Sequence, residues 1–191
     1  MSRRRKSSAI TLILAVISLV AYLGQEFGWL AEAKKGVIEN QPGQYKIIRF
    51  SDGDTISVDM SGKTETIRMI GVDTPETRDP RKPVQCYGPA ASAFTKNFIG
   101  DKPVRLSADS LSSNRDRYDR LLRYVYLPDG TLLNEKLIRD GYGFYYPYFP
   151  FTKSKEFEVA QTQAKAENKG LWGNCTPTPT EGGGYVSNPQ A

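Results

Sequence analysis

Asp52, Asp54, Asp73 and Glu76 stand at the ends of runs that alternate apolar and polar residues, and downstream Arg115, Arg117, Arg120 and Arg123 crowd the stretch NRDRYDRLLRYVY, 114–126. Carboxylate oxygens at strand ends can hold a hard divalent cation, with backbone carbonyls such as that of Thr74 and waters completing its shell. Guanidinium forks match phosphate oxygens two at a time. Carboxylates, a cation and arginines together make a toolkit for cleaving phosphodiesters. Each group also has a plain structural reading. Asp52-Gly53 is a common turn, Asp73-Thr74-Pro75 is a turn in which the aspartate bonds its own backbone, and arginines line solvated loops. The sequence has no histidine, which excludes Ser-His-Asp and Cys-His catalysis and every His-ligated metal site.

Several elements must position these groups. YKIIRFSDGDTISVDMSGKTETIRMIGV, 45–72, is three alternating runs broken at Asp52-Gly53 and Ser61-Gly62, dipeptides that favour tight hairpin turns, so it reads as a three-stranded meander. Antiparallel pairing would bring Asp54, which opens the second run, to Asp73, which closes the third. Arg68 lies five residues before Asp73, so strict alternation puts the two on opposite faces unless a bulge or strong curvature breaks the parity. KPVRLSAD (102–109) and RLLRYVYLPDG (120–130) supply two more strands. Helices are expected over 88–100 with Ala93 and Phe94 inward, over 131–141 with Leu133, Leu137 and Ile138 inward, and over 152–170 with Phe157, Ala160 and Ala164 inward. GYGFYYPYFPF, 141–151, is a short strand passing into a loop at Pro147 and Pro150. The fold class is α+β, a small five-stranded β-barrel with three α-helices, preceded by an N-terminal hydrophobic helix.

Charged residues make up 25% of the chain and apolar residues 39%, as in a globular domain. Net charge is +5, but Arg3, Arg4, Arg5 and Lys6 carry much of it, so bulk charge alone does not identify a nucleic-acid binder. Those four precede an uncharged run, AITLILAVISLVAYLG (9–24), and a small-residue AEA at 31–33, the layout of an export signal or an uncleaved membrane anchor. The domain plan is therefore 1–33 signal peptide or anchor, 34–44 linker, 45–175 the folded domain, and 176–191 a disordered Thr/Pro- and Gly-rich tail. Cys86 and Cys175 lie in the exported part, where an even pair reads as a disulfide, and a catalytic thiol would have no histidine to activate it.

DGDT (52–55), IRMIGVDTPET (67–77), YGPAASAFTK (87–96), DRYDRLLRYVY (116–126) and LNEKLIRDGYG (133–143) resemble, in order and spacing, the staphylococcal nuclease or thermonuclease-like family over about residues 45–174. The resemblance implies an OB-fold-type barrel and a Ca²⁺-dependent endo/exonuclease that cleaves DNA and RNA to 3′-phosphate ends. It implies Ca²⁺ on Asp54, Asp73 and the Thr74 carbonyl, with Asp52 supporting the site from behind. Glu76 is then the general base, and Arg68 and Arg120 bind the scissile phosphate. Arg117 and Tyr118 flank the nucleotide pocket, and Tyr146 and Tyr148 are the expected base-stacking tyrosines. Single-stranded nucleic acid is the expected partner, since a groove with aromatics stacks unpaired bases. The chain is expected to be a monomer, in contact with the membrane only if the N-terminal helix is retained. The alternative is a non-catalytic nucleic-acid-binding or interaction module of the same fold. Asp119 stands where the family usually has glycine, and Arg123 where it often has a small residue.

Overall fold

The structure is a computed structural model that describes residues 43–77, 79, 80 and 83–190, together with Ile13, Leu14 and Ser18. The chain divides into two compact units, Met1–Asn40 and Gln41–Ala191, and the fold below is that of the second. Apart from those three residues, the leader or anchor expected over 1–33 lies outside the described residues, as does residue 34–42 of the linker. Among the described residues no helix is long and apolar enough to cross a membrane.

Strands β1 (Gln44–Tyr45), β2 (Ile47–Asp52), β3 (Thr55–Met60), β4 (Lys63–Met69), β6 (Val104–Ser107) and β7 (Leu121–Tyr126) form one sheet in the order β1-β6-β7-β4-β3-β2. Only Lys46 separates β1 from β2, so one bent segment, 44–52, supplies both ends of that order and the sheet curls round into a barrel. Counted this way there are five strands, with β2, β3 and β4 the meander expected from the Asp52-Gly53 and Ser61-Gly62 turns. β7 joins β4 in parallel, pairing Arg68 with Leu122. The interior is filled by Ile56, Val58, Ile67, Met69, Val104, Leu106 and Val125, alternate residues of their strands, each at most 1% exposed.

Helix α1 (Gly88–Ile99), α2 (Leu133–Arg139) and α3 (Ser154–Ala166) cover the barrel, and a short α4 (Leu171–Asn174) follows. α2 and α3 bury the faces read from the sequence, Leu133, Leu137 and Ile138 on one and Phe157, Ala160 and Ala164 on the other. α1 does not. It turns Gly88, Ala91, Thr95 and Ile99 inward and leaves Ala93 exposed and Phe94 only half-buried. The i, i+4, i+8 row through Thr95 wins because the Thr95 hydroxyl donates to the Gly53 carbonyl (2.6 Å), a partner that lies far away in the chain.

The tail also differs from its expectation. Residues 176–190, read as disordered from composition, form a hairpin of β9 (Thr178–Pro179) and β10 (Tyr185–Val186). Two features override the composition: Tyr185 packs on Phe144 and Trp172, and the last residues pair with 84–86. Cys86 and Cys175 form a disulfide that closes a separation of 89 residues.

Candidate active site

Arg68 and Asp73 meet because the strand that carries them does not stay flat. Gly71 adopts φ +72°, and a Cβ there would come 2.5 Å from the Phe151 ring, so only glycine fits. The chain turns at Ile70-Gly71 and resumes as β5 (Val72–Asp73), which leaves the barrel and pairs with β8 (Phe144–Tyr145), Asp73 opposite Phe144. The break restores the parity that simple alternation forbade. Arg68 Nη2 donates to Asp73 Oδ1 (2.6 Å) and Nη1 to the Val72 carbonyl (2.6 Å).

The same guanidinium lies 3.1 Å from Asp54 Oδ2. Asp54 is 5% exposed, and its Oδ2 also accepts the Thr74 amide (2.8 Å) and hydroxyl (3.1 Å), while Oδ1 accepts the Thr55 hydroxyl (2.8 Å). One carboxylate from the β2–β3 turn and one from β5 thus converge on one cationic group. Burial works against the Arg68 charge, but Asp54 and Asp73, with smaller contributions from Tyr146 and Asp116, hold its pKa above the usual arginine value.

The turn that presents Asp54 is held from two sides. A Cβ on Gly53 would come 2.8 Å from the Thr74 methyl, so the two loops touch, and Thr95 of α1 grips the Gly53 carbonyl from behind. Asp52 Oδ1 accepts the Gly53 amide (2.9 Å) and the Thr77 hydroxyl (3.1 Å), tying the turn to the loop that carries Glu76. Burial, then the negative charges of Asp54 and Glu76, push the Asp52 carboxyl up to about 7. Glu76 Oε1 accepts the amides of Thr77 (2.9 Å) and Asp79 (3.1 Å).

Of the four clustered arginines, Arg117 and Arg120 gather around Tyr118. Arg120 immediately precedes β7, in which Leu122 is the register partner of Arg68. Its Nε and Nη2 both bond Asp116 Oδ2 at 2.7 Å, and Asp116 is near enough to act on Arg68. Arg117 donates to the Tyr118 hydroxyl (2.8 Å), and Tyr118, 62% exposed, is flanked by the guanidiniums of Arg117 (4.9 Å) and Arg120 (5.2 Å). The other two are structural. Arg115 pairs with Glu65 (3.0 Å), and Arg123, 1% exposed, donates to the side chain of Asn114 (2.6 Å). Asp119 takes φ +63°, the conformation a glycine would adopt there without strain.

The pairing of β5 with β8 brings the aromatic segment to the same place. Tyr146 donates its amide to the Gly71 carbonyl (3.0 Å), and its ring lies 5.9 Å from the Arg68 guanidinium. Burial first, then Asp73, raise the Tyr146 pKa, with Arg68 and Arg117 opposing, which puts both arginines in its field. Tyr148 meets Tyr146 edge to face at 4.8 Å. Asp54, Arg68, Asp73, Thr74 and Tyr146 thus lie together, with Tyr148 against Tyr146. Gln85 was not among the residues singled out from the sequence. Its Oε1 accepts the Glu76 amide (2.8 Å) and its own amide donates to the Glu76 carbonyl (2.9 Å). Nothing in a lone glutamine marks it in sequence.

Among the described residues no three Asp, Glu, His or Cys side chains group closely enough to hold a metal. A cation here would take two carboxylates, a backbone carbonyl and water, a set suited to a hard ion such as Ca²⁺. The convergence of Asp54 and Asp73 on a single positive group fits that role.

The family described as staphylococcal nuclease homologue matches residues 66–174. A thermonuclease of Staphylococcus hyicus is 42% identical over 168 residues, 86% of this chain and 95% of that protein. A thermonuclease of Staphylococcus intermedius is 38% identical over 169 residues, 88% of this chain and 98% of that protein. Endonuclease YncB of Bacillus subtilis is 38% identical over 142 residues, 73% of this chain and 63% of that protein.

Proposed function

Since the chain belongs to the staphylococcal nuclease family, we propose that it is a Ca²⁺-dependent nuclease hydrolysing DNA and RNA to products with 3′-phosphate ends, outside the cytoplasm. The observation that carries this reading is the meeting of Asp54 and Asp73 on Arg68. A binding module has no need of that assembly.

Asp54, Asp73 and the Thr74 carbonyl hold the cation, which when bound offsets the charge of the scissile phosphate. Arg68 and Arg120 grip the phosphate oxygens and follow the charge that develops on them. In Arg120 this means exchanging Asp116 for the substrate, two anions competing for one fork. Glu76 takes a proton from the attacking water as the new bond to phosphorus forms in line. The bond to the 5′ oxygen breaks, that oxygen takes up a proton, and the 3′-phosphate remains. Asp52 ties the Asp54 turn to the loop that carries Glu76 through the Thr77 hydroxyl. Tyr118, Tyr146 and Tyr148 offer faces and edges on which an unpaired base stacks, supporting a preference for single strands. Action outside the cytoplasm is supported by the disulfide, which persists in oxidising compartments.

Glu76→Gln tests the assignment. It should lower turnover roughly 10²-fold or more while binding of a nucleoside bisphosphate, read by calorimetry, stays as in the wild type. Unchanged turnover removes Glu76 as the base.

A further inference from the structure

The C-terminal segment has no part in the mechanism above, yet it touches the site twice. After Cys175 the Thr176 amide donates to the Asn188 side chain (2.8 Å), so the segment folds back on itself. Its hairpin turn lies on Tyr148: the Tyr148 hydroxyl bonds Thr180, and a Cβ on Gly184 would come 2.5 Å from the Tyr148 oxygen. Beyond β10 the chain runs antiparallel to residues 84–86. Cys86 donates its amide to the Asn188 carbonyl (2.8 Å), Gln190 donates to the Val84 carbonyl (2.8 Å), and Gln85 lies opposite Pro189. Ser187, 4% exposed, donates its hydroxyl to the Cys86 carbonyl (2.9 Å).

The strand thus extended is the one that holds Glu76. Gln85 binds both backbone groups of Glu76, its side-chain oxygen taking the amide and its own amide giving to the carbonyl. Residues 188–190, 84–86 and 76 therefore form three tiers joined by hydrogen bonds, ending at the acid assigned as the base. On one flank Gly88 abuts the same loop, where a Cβ would come 2.9 Å from the Pro75 carbonyl.

We propose that residues 187–190 are a positioning element for Glu76, acting through Gln85. This rests on the reading of Glu76 as general base. The geometry of a base matters steeply, because a displacement of about 1 Å costs on the order of 10²-fold in rate. The residues beyond β10 pair with 84–86, the segment from which Gln85 reaches both backbone groups of Glu76. Substrate contacts on Arg120, Tyr118 and Tyr146 are made elsewhere, so the effect belongs to turnover and not to binding.

The test compares the full chain with one ending at Val186, which keeps the disulfide and the hairpin on Tyr148, and with Gln85→Ala and Gln85→Glu in the full chain. Rates on single-stranded DNA are measured in Ca²⁺, with amide hydrogen exchange at Glu76. We expect truncation and Gln85→Ala each to lower kcat roughly 10-fold with KM little changed. Truncation should add nothing further to Gln85→Ala, since the two act in series. Gln85→Glu keeps the acceptor and should recover most of the turnover and the protection of the Glu76 amide. Undiminished kcat in the truncated chain, a parallel change in KM, or losses that multiply would overturn the proposal. If the wild type hydrolyses nothing, the functional reading fails separately, and exchange decides the brace: protection at Glu76 unchanged by truncation sinks it.

Discussion

The Arg68 side chain, 13% exposed, lies between Asp54, 8% exposed at its side chain, and Asp73, 42% exposed. Removing it leaves Asp54 buried beside another carboxylate with no guanidinium to offset them. Arg68→Ala should therefore destabilise the protein by about 3–5 kcal/mol in chelator, as read by urea unfolding. Added Ca²⁺ should recover part of that stability, because a cation supplies the missing charge, while hydrolysis stays depressed. A loss that Ca²⁺ does not touch would mean that Asp54 and Asp73 are not its ligands. The residues of this site were legible as types in the sequence, and strand pairing already pointed Asp54 towards Asp73, but whether Arg68 meets Asp73 was open. Arg68 and Asp73 are on opposite faces by alternation, and only the turn at Gly71 brings them together. Arg115 and Arg123 look like Arg120 in sequence and are separated from it only by partners, Glu65 and Asn114, that the chain order does not reveal.

At the scale of elements, α1 serves the site by one hydroxyl. Thr95→Val keeps the shape and leaves the Gly53 carbonyl without its donor, which should cost about 1–3 kcal/mol on denaturation. Because Gly53 lies between Asp52 and Asp54, the same change should raise the Ca²⁺ concentration needed for half-maximal hydrolysis. A stability loss with an unaltered Ca²⁺ requirement would reduce the helix to a cover. The meander and helices α1, α2 and α3 were readable from alternation, turn dipeptides and helical spacing, because each depends on residues close in the chain. The inward face of α1 was not, since an apolar count favours Phe94 over Thr95 and the partner lies 42 residues away. The tail was missed for a related reason: its order comes from pairing with 84–86 and from Tyr185 on Trp172, contacts that composition does not encode.

For the molecule as a whole, the segment 44–52 closes the sheet, giving the OB-type barrel that the family implies. The Cys86–Cys175 bond then fixes the end of α4 to the loop before α1, across 89 residues of chain. Reducing it should lower stability by about 2–4 kcal/mol, chiefly by releasing the unfolded chain, and thermal unfolding with and without reductant reads this directly. An unchanged Tm would mean that the crosslink does not constrain the unfolded ensemble. The proposed function requires that Asp54 and Asp73 hold a cation and that Arg68 and Arg120 bind the scissile phosphate. Its most direct measurement is hydrolysis of single-stranded DNA by the purified chain in Ca²⁺, then in excess chelator, then with Ca²⁺ restored. The account predicts rapid cleavage to 3′-phosphate ends, loss of activity in chelator and full recovery. Cleavage that persists undiminished in chelator, or binding without cleavage in Ca²⁺, would contradict it.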